Sequence, residues 1–371
     1  MRTLKKLSVS VAAAAAIALS LTACSSDASA ESGKTPKAEV TLSVANFDPE
    51  NAALAKSFKK WMDVVEEKSD GRIAFEVFYN GSLCGTADMN DCLRDGIADI
   101  GFGSSGYAPA DFPLAELGSV GFQSADMQAS SDALQQLHAE SKEMQDEFAA
   151  ANQRLLFFSP AGAHAIALKD KVSSLKDLQG KSIRATGAQS ISLDELGANP
   201  VAAGLGEVFE SIERGVLAGG SFSPELASKI RIYEVAPNFY DTGVYTGGII
   251  QMMWTINNGA WDSLDPELQG AVNAATEAVR PTVTKDFLTP GTEDACQTMI
   301  KAGATFNEIG PEAEGKAWAD SAKKRLEKNW IDNASKSVAD PAALLTRYQE
   351  LIVANASDDQ RTAAQICMEL Q

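Results

Sequence analysis

The sequence predicts an α/β protein of two lobes, each a mixed but mostly parallel sheet flanked by helices, with one long helix spanning both. Three observations carry that prediction. A strand–helix–strand–helix–strand rhythm runs from Val40 to Phe102, and it restarts after residue 162. An apolar segment at Gly247–Trp254 reads as a strand returning to the first lobe, and an unusually long helical pattern follows it. Alternation of strands with helices at this spacing builds parallel sheets, and ligands bind such folds at the carboxyl ends of the strands.

The elements follow from local pattern. Val40–Val44 alternates as a strand. Asp48-Pro49 reads as a helix cap with proline at the first helical position, and Leu54, Phe58, Trp61 and Val65 recur at helical spacing before Gly71. Ile73–Phe78 is a strand, Thr86–Ala98 a helix and Ile100–Phe102 a short buried strand. Ser131–Ala151 reads as one helix before the strand Leu155–Phe158. In the second lobe, Ala165–Leu168, Ser182–Ala185, Val201 and Ile230–Val235 are strand candidates, with helices at Ser190–Leu196 and Glu207–Arg214. After Asp265-Pro266 the apolar positions Leu268, Val272, Ala275, Val279, Val283 and Phe287 sustain the long helix. Helices near 312–333, 341–355 and 358–370 complete the chain. The expected division is 39–161 with 250–290 as the first lobe, and 162–249 with 291–371 as the second.

The first residues are a targeting segment. Arg2, Lys5 and Lys6 precede the apolar run Leu7–Leu21, which ends in Leu21-Thr22-Ala23-Cys24. Small residues before a cysteine at that point resemble a bacterial lipobox. Residues 1–23 are then the signal, Cys24 carries lipid, and 24–38, rich in Ser, Ala, Lys and Glu, is a flexible tether. The whole chain has 32 basic and 50 acidic residues. Loss of the signal leaves 29 basic residues against 50 acidic, a net charge of −21, which argues against nucleic-acid binding. In so acidic a chain, an isolated arginine in a neutral segment is informative.

Five cysteines less the lipidated one leave four in an oxidising compartment. Three connectivities are possible, and Cys84–Cys92 with Cys296–Cys367 is the expected one. Their spacing does not suit zinc, and no cofactor or metal is expected.

Several segments together resemble a known family. They are Leu175-Lys-Asp-Leu-Gln-Gly-Lys-Ser-Ile-Arg184, Leu196-Gly-Ala-Asn-Pro-Val201, Glu207-Val-Phe209 and Gly215-Val-Leu217. Upstream lie Ser69–Ile73, Tyr79–Leu83 and Gly96–Ile100, and downstream lies Ile256-Asn-Asn-Gly-Ala-Trp-Asp-Ser-Leu264. The set, spread over roughly 40–290 in the right order, resembles the DctP family, the extracellular solute receptors of tripartite ATP-independent periplasmic (TRAP) transporters. The resemblance implies a type II-like periplasmic-binding-protein fold and a small organic-acid ligand in the interlobe cleft. It also implies delivery to TRAP membrane subunits for ion-gradient-driven uptake. A monomer is expected on the outer face of the cell membrane, or in the periplasm if an outer membrane exists. The resemblance makes Arg184 the ligand-carboxylate residue, a role suited to its planar fork of donors. The competing reading is a surface ion pair with Asp194 or Glu195.

Two departures from the family bear on the ligand. A position that many members fill with a polar or cationic residue is His164, which as a donor would make binding sensitive to pH near 6.5. Where the family often carries an acid and an asparagine, this chain has Ala218-Gly-Gly-Ser-Phe-Ser-Pro224. Ser221 and Ser223 are candidate ligand contacts there, with Gly219-Gly220 bringing the backbone close. Further candidates are Asn46, Phe47, Ser104, Ser105, Tyr107 and Tyr245.

Gly101-Phe-Gly-Ser-Ser-Gly106 matches a dinucleotide fingerprint, but Pro109 and Pro113 follow where a helix should open. No nucleophile elbow, HExxH or Walker motif is present, so an enzyme is not expected. His138, beside Leu134 and Leu137, reads as structural. The alternatives are a substrate-binding lipoprotein of an ATP-driven (ABC) transporter and, further off, a secreted hydrolase using His164 and Ser190.

Overall fold

A computed structural model describes residues 38–241, 249–357 and 361–371. In chain order the first half runs β1 (Val40–Ala45), α1 (Ala53–Lys68), β2 (Ile73–Phe78), α2 (Met89–Arg94), β3 (Ile100–Gly103), α3 (Met127–Glu140), α4 (Lys142–Ala150), β4 (Gln153–Ala163), β5 (Ala165–Leu168) and β6 (Ser182–Arg184). There follow α5 (Ala188–Glu195), β7 (Asn199–Val201), α6 (Leu205–Glu213), β8 (Gly219–Phe222), α7 (Pro224–Lys229), β9 (Asn238–Asp241), β10 (Ile249–Asn257) and α8 (Asn258–Asp262). Last come α9 (Pro266–Val279), α10 (Thr289–Lys301), β11 (Thr305–Glu308), α11 (Glu312–Ala334), α12 (Pro341–Asn355) and α13 (Ala363–Glu369).

These strands form two sheets. One has the order β2-β1-β3-β10-β4 and the other β11-β9-β5-β8-β6-β7. Each is parallel but for one reversed strand, β10 in the first and β5 in the second. The chain passes between sheets from β4 to β5 and from β9 to β10, and again along the helical run from Pro266 to Lys301. The carboxyl ends of β1 and β3 lead into Asn46–Phe47 and Ser104–Ser105, and those of β6 and β8 carry Arg184 and Ser223. The predicted two-lobe α/β fold is therefore the one observed.

The first lobe is built on aromatic stacking. Trp254 of β10 lies on Phe58 of α1 at 3.7 Å between ring centroids and on Phe102 of β3 at 4.2 Å. Phe102 in turn stacks on Phe47 at 4.2 Å. Trp61 donates its indole N–H to Thr276 at 3.0 Å, tying α1 to α9. His138 meets Phe148 edge-on at 5.2 Å, and burial pushes its pKa down to about 4, in keeping with a structural role.

The structure departs from the sequence reading where local chemistry intervenes. Asp48 caps no helix; α1 begins at Ala53, and Asp48 is used elsewhere. The helix expected over Thr86–Ala98 spans only α2, because Gly96 in the left-handed region closes it with Gly96 N–H to the Leu93 carbonyl and Ile97 N–H to that of Cys92. Ser131–Ala151 is two helices, because extended Ser141 ends α3 and caps α4 through Met144 N–H. Ile230–Val235 is no strand: Arg231 takes the left-handed region and a 3-10 turn follows. The long helix is interrupted by a 3-10 turn at Arg280–Thr282, which holds Pro281, and a π-turn at Thr284–Leu288. Its first part, α9, packs on α1, and its last, α10, on α7 and α13.

The C-terminal residues do not all join the second lobe, as the 291–371 boundary had them. Trp318 and Ala322 of α11 pack with second-sheet residues such as Ile166 and Ile183. Further along α11, Leu326 and Trp330 join Leu345, Tyr348 and Leu351 of α12 in a cluster with Leu134 and Phe158 of the first lobe. Apolar faces at both ends of α11 thus make it a second helix shared by the lobes. The two disulfides are Cys84–Cys92, ahead of and within α2, and Cys296–Cys367, joining α10 to α13.

Gly219 and Gly220 sit inside β8, which was not foreseen as a strand. A β-carbon on Gly219 would lie 2.0 Å from the Ala167 carbonyl oxygen of β5, and one on Gly220 would lie 2.5 Å from the Phe222 ring. The backbone of β5 cannot move aside without breaking its ladders on both edges. Gly219→Ala is therefore expected to destabilise the protein by about 3 kcal/mol, the upper end of overpacking costs, as read from its urea midpoint.

Candidate ligand-binding site

The site residues of the second lobe meet at the end of its sheet. Arg184 closes β6 and is 8 % exposed. Its Nε donates to the Ala203 carbonyl at 3.4 Å and its Nη1 to the Ser221 carbonyl at 3.2 Å, and the guanidinium lies 5.3 Å from the centre of the Phe222 ring. No carboxylate among the described residues pairs with it; Asp194 and Glu195 are taken by Arg325. The competing ion-pair reading of Arg184 is thereby removed. Burial lowers its pKa, yet a guanidinium stays protonated at any ordinary pH. Nη2 has no protein acceptor among the described residues, so the face that grips a carboxylate with two parallel bonds is available.

His164 lies between β4 and β5, buried. Its Nδ1 is 2.7 Å from Nε2 of Gln189 and 3.3 Å from the Ser221 hydroxyl. Burial first, and then the charge of Arg184, hold its pKa down to about 3. The expected pH sensitivity near 6.5 does not follow, because the ring is already neutral there. Arg184, His164 and Ser221 form one network. Ser223 stands beside it as the cap of α7, its hydroxyl accepting from Leu226 N–H at 3.3 Å. Gly162, at φ +95°, passes Ser223 so closely that a β-carbon would lie 3.2 Å from that of the serine.

First-lobe candidates are held by local bonds. Asn46 accepts from Asp48 N–H at 2.9 Å, and Ser104 from Gly106 N–H at 3.3 Å. Ser105 donates its hydroxyl proton to Glu116 at 2.5 Å, which leaves it lone pairs for other partners. Phe47 is half-buried on Phe102, while Tyr107 is 55 % exposed and near enough to Arg184 for its phenol to favour the charged guanidinium. The fingerprint glycines Gly101 and Gly103 press against Met89 and Asn90 of α2, and only a 3-10 turn at Ser105–Tyr107, not the α-helix of a dinucleotide fold, follows them. Tyr245 and Cys24 lie outside the described residues.

Sequence reasoning missed Gln189 and Phe222. Gln189 sits at the start of α5, where nothing in the local pattern marks an amide as buried. Its place beside His164 comes from the packing of α5 against β7 and α11.

The lobes also touch through ionised groups. Lys229 of α7 reaches Asp48, after β1, at 2.9 Å. Glu225, one turn earlier on α7, packs against Gly291 of α10. Burial, and secondarily the Asp48 charge, raise its pKa to about 7 against the pull of Lys229 and Lys56. Glu147 is likewise raised to about 7 by burial, although it accepts from the amides of Leu114 at 2.7 Å and Ala115 at 3.0 Å.

Two α/β lobes with a buried, uncompensated guanidinium where the strands of one of them end define a solute-binding receptor. The chain belongs to the DctP family, bacterial extracellular solute-binding protein family 7, whose model matches residues 44–333. It is a receptor and not an enzyme. A solute-binding protein of Sulfitobacter sp. strain NAS-14.1 is 30 % identical over 257 residues, 66 % of this chain and 73 % of that protein. Among solved structures, a TRAP periplasmic solute-binding protein of Desulfovibrio salexigens DSM2638 has a TM-score of 0.76 at 24 % identity, covering 87 % of this chain and 98 % of its own. A TRAP solute-binding protein of Rhodoferax ferrireducens T118, in complex with copurified benzoate, has a TM-score of 0.73 at 23 % identity, covering 85 % and 98 %. Among the described residues no helix is long and apolar enough to cross a membrane.

Glu225 gives a pH test of the interlobe contact. Its folded pKa lies above the ordinary carboxylate value, so the native state holds the proton more tightly than the unfolded chain. Its carboxylate thus destabilises the fold increasingly as pH rises from the ordinary value to about 7, and fully above that. Glu225→Gln is expected to raise stability on the order of 2 kcal/mol at slightly alkaline pH and to change it little near pH 5. Urea unfolding at the two pH values measures the difference.

Proposed function

We propose that this chain binds a small carboxylate-bearing organic acid between its lobes and delivers it to TRAP-type membrane subunits for ion-gradient-driven uptake. The observation that carries the reading is Arg184, a buried cation with no carboxylate partner among the described residues and a free Nη2. Leaving such a group unpaired is costly, and a ligand carboxylate supplies the missing countercharge. The benzoate carried by the Rhodoferax protein is an acid of this kind.

In this reading Ser221 and His164 line the acid beside Arg184, with Ser223 next to them. Asn46, Phe47, Ser104, Ser105, Tyr107 and Tyr245 complete the cleft from the other side. Cys24 carries the lipid anchor and 24–38 the tether, so the receptor works as a monomer on the outer face of the cell membrane. The signal-like run ending at Leu21-Thr-Ala-Cys24 supports the anchor, and mass spectrometry of the mature N-terminus tests it.

Arg184→Met tests the receptor reading. The variant trades an unpaired buried charge for an apolar chain, so the unliganded protein is expected to keep its stability or gain some. Ligand affinity is expected to fall by about 2–5 kcal/mol, the cost of removing one partner of a buried charge pair. Thermal shift against a panel of organic acids, with mass spectrometry of the small molecule released on denaturation, reads both. Equal ligand stabilisation of variant and parent would sink the assignment.

A further inference from the structure

Among the described residues Arg184 is the one arginine or lysine that is buried. The polar groups gathered with it, Ser221, Ser223 and Gln189, are uncharged, as are Asn46, Ser104 and Ser105 at the strand ends of the first lobe. The linking segment 242–248 carries no ionisable group but Tyr245. Lys229, the cation at the lobe contact, is already paired with Asp48, so the charge on His164 decides whether the cleft offers one unpaired positive charge or two.

Its surroundings answer that. The Gln189 amide and the Ser221 hydroxyl both address Nδ1, which leaves Nε2 to carry the proton of a neutral ring. The charged group that acts on the ring is Arg184, and it opposes a second positive charge. Tyr107 acts on Arg184 rather than on the imidazole. Oε1 of Gln189 is buried with no partner among the described residues, a spare neutral acceptor suited to a ligand hydroxyl or N–H and unsuited to an anion.

We propose that the cleft selects singly charged acids: Arg184 supplies its one countercharge, and His164, held as a neutral hydrogen-bonding group by its burial beside that guanidinium, is the residue that excludes a second carboxylate. The proposal rests on the reading that Arg184 holds the ligand carboxylate. A diacid would have to bring its second carboxylate out of water with no cation to meet it, which is penalised heavily in a low-dielectric cleft.

Matched acids test this by isothermal titration near neutral pH: D-galacturonate against galactarate, and benzoate against terephthalate, each pair differing by a second carboxylate. At least one monoacid is expected to bind, with its diacid weaker by on the order of 30-fold or more. His164→Lys is expected to narrow that gap. Because the chain has only two histidines, proton NMR follows both rings, and the His164 resonances are expected to stay in place between about pH 8 and about pH 5. A diacid that binds as tightly as its monoacid, yet is lost in Arg184→Met, overturns the selectivity and leaves the carboxylate reading standing. A diacid that binds as tightly as its monoacid, with both unaffected by Arg184→Met, overturns both. A His164 titration with a midpoint between about pH 6 and 7 overturns the neutral-ring basis directly.

Discussion

The structure depends on keeping one guanidinium out of water without a countercharge. Arg184 has two carbonyl oxygens and the face of Phe222 as company, and no acid among the described residues. A surface arginine in so acidic a chain would find a carboxylate, as Arg325 does with Asp194 and Glu195. The second lobe prevents that by ending β6 at Arg184, between β7 and β8. The glycines of β8 are part of the same device. A β-carbon at Gly220 would lie 3.1 Å from that of Arg184, so the strand must be bare for the arginine to pack beside it. Backbone sterics on β8 and charge on β6 form one constraint.

The contacts between lobes are weak by design of their chemistry. Lys229–Asp48 is partly exposed, and exposed ion pairs contribute roughly 0–1 kcal/mol. Glu225 beside them carries a destabilised carboxylate. Groups of this kind place the lobes without locking them, which suits a body whose ligand must enter and leave. Firmer attachment comes from the helices the lobes share, where α9 and α10 run from one to the other and α11 buries Trp318 in one cluster and Trp330 in another. The proline and the π-turn between α9 and α10 mark where that run departs from a straight helix.

Legibility followed the length scale of the physics. Strands with alternating or continuous apolar runs, such as Val40–Ala45 and the core of β4, were readable because side-chain period alone determines them. So was α12, with Asp340 accepting from Ala343 N–H and Pro341 at its first position. Three short strands of the second sheet were not: Gly219–Phe222, Asn238–Asp241 and Thr305–Glu308 carry glycine or polar residues in place of an apolar run, and pairing with neighbours far along the chain makes them strands. At the candidate site, a motif singled out Arg184 and an offset from it singled out His164, and the fold brings both to Ser221. Gln189 was not singled out, since only the fold brings the start of α5 to His164. The protonation state of His164 was misjudged because burial, which sets it, is a tertiary property.

A single buried charge also bears on reversibility. Hydrogen bonds to charged groups contribute about 1.5–3 kcal/mol each, and neutral ones about 0.5–1.5. On the proposed reading, one guanidinium fork and a few neutral bonds from Ser221, His164 and Gln189 would favour binding strongly enough to capture a dilute acid, against the repulsion of a chain with net charge −21 once the signal is lost. A second buried cation would deepen the well and slow release to a membrane partner. It would also have to be buried next to Arg184 while the site stood empty, doubling the cost of the unliganded state. A neutral His164 avoids both consequences, and it stays neutral because the same burial that isolates Arg184 also strips the imidazole of water.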